Sequence, residues 1–591
     1  MVWFDDEPLT AYRERFKDEF ANRAAALFED MLIRSGVDES ANAVTMATIR
    51  EFDCKIADAA ARNFRLKALR IMAWLYVASA ILAMIITIQP WSIVASIVAL
   101  PIVALVIEKL SPAIKSRAEH LGELTQCRTN KEAEAHEQVA PLNAQYEWLT
   151  FVNLVNEIVP GLVLDPYVSR TRVDDLVQSF KWEDASRSDR SFIFAQSGGI
   201  NGNPFVIAET LNYSMGRKTY SGSIKITWRE LKKYKDSKGR TRTRWVTRNE
   251  ILTAQVEKPA PTYRSEKFVI FGNEAAPSLT FTRKPSRFSE SGDMAQGQIN
   301  RTVRKLERRS RKLKEGNDFT IMANREFEAL FNAIDRNDEI QYRVLFTPLA
   351  QQQMVRLLRD GGAGYGDNFR FVKKQMINEV YPKHLENIDI SADPVLFSNI
   401  DVAAARAFFN RYAKEYFRSI YFALAPLATI PAYQQHRTRV EIDESTETLG
   451  DVPLASHCEY EAIANFHGQR RFAHPESVTN NILKTQYSGA ALGGGSMVAV
   501  TAHGYKGVRQ ITKVARRGGD GKMYDIPVEW IEYVAVQQTT MMTVRESADH
   551  TRDSFNERVA TSDSWQKFMG ASSRSPMFRR GVASYVGTPR K

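Results

Sequence analysis

Apolar and polar positions alternate with different periods along the chain. Between residues 10 and 70, Phe16, Phe20, Ala24, Leu27 and Leu32 recur at helix-like spacing with charges between them, which predicts helix. The run GVDESAN at 36–42 interrupts that periodicity. A second helix from about Ala43 then leads into the longest apolar stretch of the sequence. There Ile71–Ile88 and Ser92–Ile107 carry no charge and are separated only by Gln89, Pro90 and Trp91. A bilayer span takes about 17–25 apolar residues, so the pair is expected to form a transmembrane helical hairpin with almost no loop. The alternative is a helical hairpin inside a large folded core.

Arg62, Arg65, Lys67 and Arg70 precede the first run, and Lys109, Lys115 and Arg117 follow the second. Basic flanks resist translocation, so both termini are expected on the cytoplasmic side. Trp74 and Tyr76 at that boundary, with Pro90 and Trp91 at the far turn, are the expected membrane-anchor residues. Helix-like spacing resumes from Pro112 to about Val159, with Pro141 as a kink or start point.

From Ser191 to about Arg287 the pattern becomes strand-like. In Tyr220–Trp228, Ile224, Ile226 and Trp228 point one way while Lys225 and Thr227 point the other. The stretch KDSKG reads as a hairpin turn between two such runs. Residues 296–360 return to helix. The run INRTVRKLERRSRKLK sets Ile299, Val303, Leu306 and Leu313 on one face and eight Lys or Arg around the rest. Gly361–Asp367 (GGAGYGD) is expected to form a helix-to-helix turn, followed by helix over FRFVKKQMINEVYPKHL and a long buried helix over Val402–Leu427. Residues 441–545 mix turns and strands, and the polar, basic segment after Ala548 reads as a mobile tail.

The expected organisation is therefore an α+β multidomain integral membrane protein. It comprises a helical arm (1–65), a transmembrane hairpin (66–110), a helical stalk (111–160), an antiparallel β domain (161–290), a helical region (291–440), a mixed α/β region (441–547) and a basic flexible tail (548–591). The implied location is a membrane, with both termini on its cytoplasmic side. At 591 residues the chain is too long for one core, and its 44% hydrophobic and 25% charged residues are those of an ordinary folded protein. The three cysteines, Cys54, Cys127 and Cys458, lie far apart, which argues against a disulfide framework or a zinc ribbon.

Net charge is +11 and is concentrated in two places. Trp228–Arg248 holds nine Lys or Arg against two acids, interleaved with Tyr234 and Trp245. Arg301–Lys314 forms the basic amphipathic helix. The candidate polyanion-binding residues are Lys232, Lys233, Arg240, Arg242 and Arg244 in the first, and Arg304, Lys305, Arg308 and Arg309 in the second. Cations beside aromatic rings suit phosphates and bases, and cations beside a bilayer suit anionic lipid. With an anchor holding these segments near lipid, a membrane surface is preferred to nucleic acid. A solvated charged face is the plain alternative.

Catalytic signatures are sparse. GGAGYGD lacks the GK[ST] ending of a phosphate loop. His457, Cys458, Glu459, His467 and His474 are the densest set of potential ligands, with His436 and His503 elsewhere. Their gaps are wider than metal sites use, so no catalytic residue, metal site or cofactor is assigned. Adjacency of His457 and Cys458 is no evidence for a thiol nucleophile, because chain neighbours point apart.

The phrases TYSGSIKITW, GNEAAPSLTFTRKPS, RNDEIQYRVLFTPLAQQQM and GYGDNFRFVKKQ together resemble uncharacterised two-span membrane proteins of mycoplasmas and Gram-positive bacteria, over about residues 66–385. The resemblance implies a bacterial membrane location and carries no activity. The leading expectation is a non-enzymatic scaffold at the membrane surface, partnered by the lipid bilayer and by another protein or a second copy of itself. A polyanion-binding module and an uncharacterised enzyme are the alternatives.

Overall fold

The computed structural model describes residues 7–86, 90–147, 149–166, 168–183, 188–235, 240–286, 292–311, 319–435, 455–491, 495–546 and 582–586. For 76, 80–86, 90–107, 109, 292–295, 545–546 and 582–586 it describes the backbone alone. The chain divides into two compact units. One holds residues 21–147 and 394–413, the other 1–20, 148–393 and 414–591.

The first unit is helical. It contains most of α1 (Lys17–Ser35), α2 (Glu39–Ile86), α3 (Pro90–Asn143) and the start of a later helix. Gly36, at φ +65°, takes the left-handed conformation that ends α1. Asp38 then caps α2 by accepting the Ser40 and Ala41 N–H groups at 2.9 and 3.1 Å. The pairs Thr45–Gln138 (3.0 Å) and Asp53–Arg128 (2.5 Å) descend α2 while ascending α3, so the two helices run antiparallel.

The expected transmembrane hairpin and its membrane location are not upheld. Among the described residues no helix is long and apolar enough to cross a membrane. The charge-free stretch forms the end of one helix of 48 residues and the start of another of 54, and the parts of both outside that stretch carry charges. Of the four expected anchors, Trp74 is 57% exposed, while the side chains of Tyr76, Pro90 and Trp91 lie outside the described residues. The integral-membrane fold class, the bacterial cytoplasmic-membrane location and the cytoplasmic assignment of both termini rested on these spans and fall with them.

The second unit is α+β. Its large sheet is antiparallel, in the order β1 (Leu162–Leu164), β2 (Arg190–Ile200), β3 (Asn203–Lys235), β4 (Thr241–Gly272), β7 (Ile377–Pro382), β6 (Phe369–Lys374), β5 (Thr280–Arg283). The strands β6 and β7 replace the helix expected over FRFVKKQMINEVYPKHL. Phe369 and Phe371 alternate with Arg370, and Gln375 at φ +56° makes the turn. A core of Phe192, Val206, Ala208, Phe268 and Ile270 packs on Val173 and Leu176 of a helix, α4 (Arg170–Gln178). A second antiparallel sheet orders β11 (Val582–Val586), β10 (Met523–Glu546), β9 (Ser496–Arg517), β8 (Ile482–Ala490). Its strand β11 falls within the segment read from sequence as a tail. The expected hairpin turn at KDSKG lies outside the described residues beyond Lys235.

The Gly-rich run joins a helix, α5 (Pro348–Arg359), to β6 rather than to another helix. Three of its N–H groups are already engaged. Those of Gly362, Ala363 and Gly364 donate to the Asp360 carboxylate at 3.2, 3.3 and 2.7 Å. Arg418 donates to the Ala363 and Gly364 carbonyls at 2.9 and 2.8 Å. The loop thus carries its own anion where a phosphate loop would hold a ligand.

Candidate functional site

The most distinctive element is the ribbon formed by β3 and β4. Register is continuous from Phe205↔Phe271 to Lys235↔Thr241, so strands of 33 and 32 residues extend about 100 Å. Its root is buried in the large sheet and its far end is exposed on both strands.

Midway, one face of this ribbon packs on a second ribbon made by β9 and β10. Ile226, Leu252 and Ala254 are buried against Ile526 and Val528, with Ile224, Trp228, Val256, Val514 and Tyr524 around them. All lie on even-numbered positions, as the period of two requires. The backbones come close enough that a Cβ on Gly222 would lie 2.2 Å from the Pro527 carbonyl oxygen. At the end of the second ribbon the Gly519 N–H donates to Glu250 Oε2 at 2.7 Å. Beyond that brace the first ribbon continues for about 20 Å, with Arg229–Lys235 and Arg240–Trp245 exposed.

This free end is an arm with cations on both faces. Register puts Lys232 opposite Arg244 and Tyr234 opposite Arg242 on one face. Arg229, Leu231, Lys233, Lys235 and Trp245 share the other. The Arg244 guanidinium lies 5.6 Å from the Tyr234 ring, and Trp245 is 67% exposed. Glu230 is paired to Arg248 at 3.2 Å. Like charges directly opposite each other on a sheet are destabilising, so folding alone does not call for Lys232 across from Arg244.

The other basic segment rests on a different element. Helix α6 (Gly292–Ser310) buries Ile299 and Leu306 and packs against α7 (Arg325–Phe331), with Arg325 paired to Glu307 at 2.9 Å. Arg301, Arg304, Lys305 and Arg308 are exposed. Arg309 is engaged in the fold, donating to the Ile334 carbonyl at 3.4 Å and lying 5.1 Å over the Phe319 ring. Leu313 and Lys314 lie outside the described residues.

The histidine set is not assembled into a site. Among the described residues no three His, Cys, Asp or Glu side chains are placed to hold a metal ion. Contrary to the expectation that neighbours point apart, Cys458 Sγ and His457 Nε2 lie 3.3 Å from each other. Both are buried. Burial raises the thiol pKa far above its ordinary value and lowers that of the imidazole to about 4, so the pair is neutral. His457 sits between Trp182 and Phe192, its ring centroid 5.7 and 5.9 Å from theirs. Nearby Glu461 is buried, accepting from Lys484 Nζ at 2.6 Å and from the Phe192 N–H at 3.0 Å. His467 is also held neutral by burial, with a pKa of about 4.

Sequence reasoning missed the basic end of the second ribbon. Arg516 and Arg517 sit there, and register pairs them with Tyr524 and Met523. Gly518, Gly519 and Gly521 around Asp520 were the available turn signal. No family model, curated protein or solved structure matches the chain.

Proposed function

We propose that the chain binds nucleic acid, with the exposed end of the β3–β4 ribbon as the arm that engages the phosphodiester backbone. The observation that carries this reading is an exposed two-stranded arm with Lys and Arg on both faces, beside the exposed rings of Tyr234 and Trp245. A two-stranded ribbon fits the major groove of a duplex, where cations on opposite faces reach the two phosphate walls. The rings offer stacking platforms to unpaired bases. A lipid headgroup layer is planar and favours a ribbon with one basic and one apolar face. The preference for lipid stated from the sequence depended on the anchor, and that argument falls with it.

Charge reversal tests the reading. In fluorescence anisotropy with a labelled duplex and a labelled single strand, Lys232→Glu combined with Arg244→Glu should weaken binding by about 100-fold or more at low salt, as expected for two reversed phosphate contacts. Unchanged affinity in a folded variant would refute it.

A second reading, a scaffold for a protein partner, is favoured by a separate patch. Ile340, Val344 and Leu349 are 76%, 67% and 53% exposed at neighbouring positions. If this patch is the working surface, Ile340→Asp should abolish a co-purifying protein while nucleic-acid binding persists.

A further inference from the structure

Where the two ribbons leave their sheets they line an open-mouthed pocket of about 300 Å³. Three tyrosines wall it. The Tyr213 and Tyr505 rings are stacked at 5.4 Å and 27°, and the Tyr263 ring lies 5.7 Å from Tyr213. Each ring is held through its hydroxyl. The Tyr213 and Tyr505 hydroxyls hydrogen-bond to each other. The Tyr263 hydroxyl donates to Thr479 Oγ1 at 3.1 Å, and that same oxygen accepts the Tyr505 N–H at 3.0 Å. Gly504 lets the preceding loop close against β9, since a Cβ there would lie 2.1 Å from Asn481 Oδ1. The aromatic walls are therefore set before any ligand arrives.

The remaining polar lining among the described residues is Ser188, Asp189, His503 and Gln537. Among the described residues neither Lys nor Arg lines the cavity. Partial burial holds the His503 imidazole below its ordinary pKa, aided by the nearby Lys484 charge, and leaves it a neutral ring with one donor and one acceptor nitrogen. Carboxyl, imidazole and amide groups together offer acceptors and donors along an edge, beside flat aromatic faces. A volume near 300 Å³ is at the small end for ligand pockets and suits one base with its sugar.

We infer that this cavity binds a nucleobase, with the ring against the tyrosine wall and its hydrogen-bonding edge toward Asp189, His503 and Gln537. The nucleic-acid reading of the arm supplies one source for that base, an unpaired nucleotide of a bound strand. A free nucleoside is the other.

The test uses the full chain, with adenosine, guanosine, cytidine and uridine followed separately by saturation-transfer NMR and calorimetry. At least one should bind saturably, and Tyr505→Ala should weaken it about tenfold or more, the effect of losing one stacking platform. Tyr505→Phe keeps the ring and should retain binding. Gln537→Leu, at an exposed position, tests the polar edge without risking the fold, and should also weaken binding. The arm reversal variant should bind nucleoside normally, so failure of the arm and failure of the pocket are read separately. Competition by a single-stranded oligonucleotide assigns the base to a strand, and its absence assigns a free nucleoside. The inference is overturned if none of the four binds up to about 10 mM, a concentration above the weakest specific affinities. It is equally overturned if neither Tyr505→Ala nor Gln537→Leu changes the binding seen, or if a simple sugar binds in their place.

Discussion

Gly222 is the position at which the two-ribbon architecture is most exposed to a single methyl group. A Cβ built there meets the Pro527 carbonyl oxygen at 2.2 Å and both the Pro527 carbonyl carbon and Val528 Cα at 3.1 Å. All three are backbone atoms, so no rotamer change relieves the clash. Gly222→Ala must move the ribbons apart by about 1 Å, a gap that forfeits a quarter to a half of each dispersion contact across it. The contacts at stake are those of Ile226, Leu252 and Ala254 with Ile526 and Val528. Overpacking of this kind costs about 1–3 kcal/mol, and with rigid atoms on both sides we place the loss near 2 kcal/mol. At about 1.4 kcal/mol per factor of ten, amide hydrogen exchange governed by ribbon separation should accelerate about 30-fold. Exchange followed by mass spectrometry should show this in peptides covering 222–228, 250–256 and 524–530, while the root of β3 near Val206 keeps its protection. Exchange within about twofold of the parent across those peptides would refute the close approach and the buttressing role given to the second ribbon.

Three further outcomes follow from buried polar groups and from cysteine exposure. Arg336 is buried, pairs with Glu328, reaches Glu339 at 2.8 Å and lies 4.2 Å over the Tyr342 ring. Arg336→Leu strands the buried Glu328 carboxylate and should cost about 3–5 kcal/mol in urea denaturation; a loss under about 1 kcal/mol would show that the pair is dispensable. His384 and His457 are held neutral by burial, with pKa values of about 4 against 6.5 when unfolded. Their folded pKa is depressed, so their contribution is complete above about 6.5 and is lost as pH falls towards 4, because only the unfolded chain takes up protons in that window. The melting temperature should therefore fall between pH 6.5 and 4, less steeply in His384→Phe; an equal slope in that variant would remove His384 from the account. Cys54 and Cys127 are exposed and Cys458 is buried, so a thiol reagent should titrate two groups natively and three in denaturant. Rapid reaction of the third in the native protein would contradict the inert Cys458–His457 pair.

The middle of the long ribbon is legible in the sequence, because Ile224, Ile226 and Trp228 alternate with Lys225 and Thr227. Its length is not, since beyond Trp228 both faces are polar and no apolar period marks the strand. The same ambiguity turned β6 and β7 into an expected helix. FRFVKKQMINEVYP carries Lys373 into the core, donating to the Ala275 carbonyl at 3.0 Å, and a buried lysine defeats a reading that assigns charges to solvent. The run from Ile71 to Ile107 read as two spans because a charge-free window says nothing about the helix it belongs to. The basic residues of the arm were visible as types and spacing. The pocket tyrosines were not, because Tyr213, Tyr263 and Tyr505 lie on three strands and meet only through register and ribbon packing.

The most direct measurement of the central claim is the salt dependence of nucleic-acid binding, compared between the parent chain and arm variants. With about four of the arm's cations on phosphates at once, the logarithm of the association constant should fall with that of salt at a slope near −3.6 on duplex, about a 150-fold loss from 50 to 200 mM. Lys232→Gln and Arg244→Gln should each make that slope shallower by about 1. A slope near zero, or one that neither substitution changes, would contradict the account and remove the arm from nucleic-acid recognition.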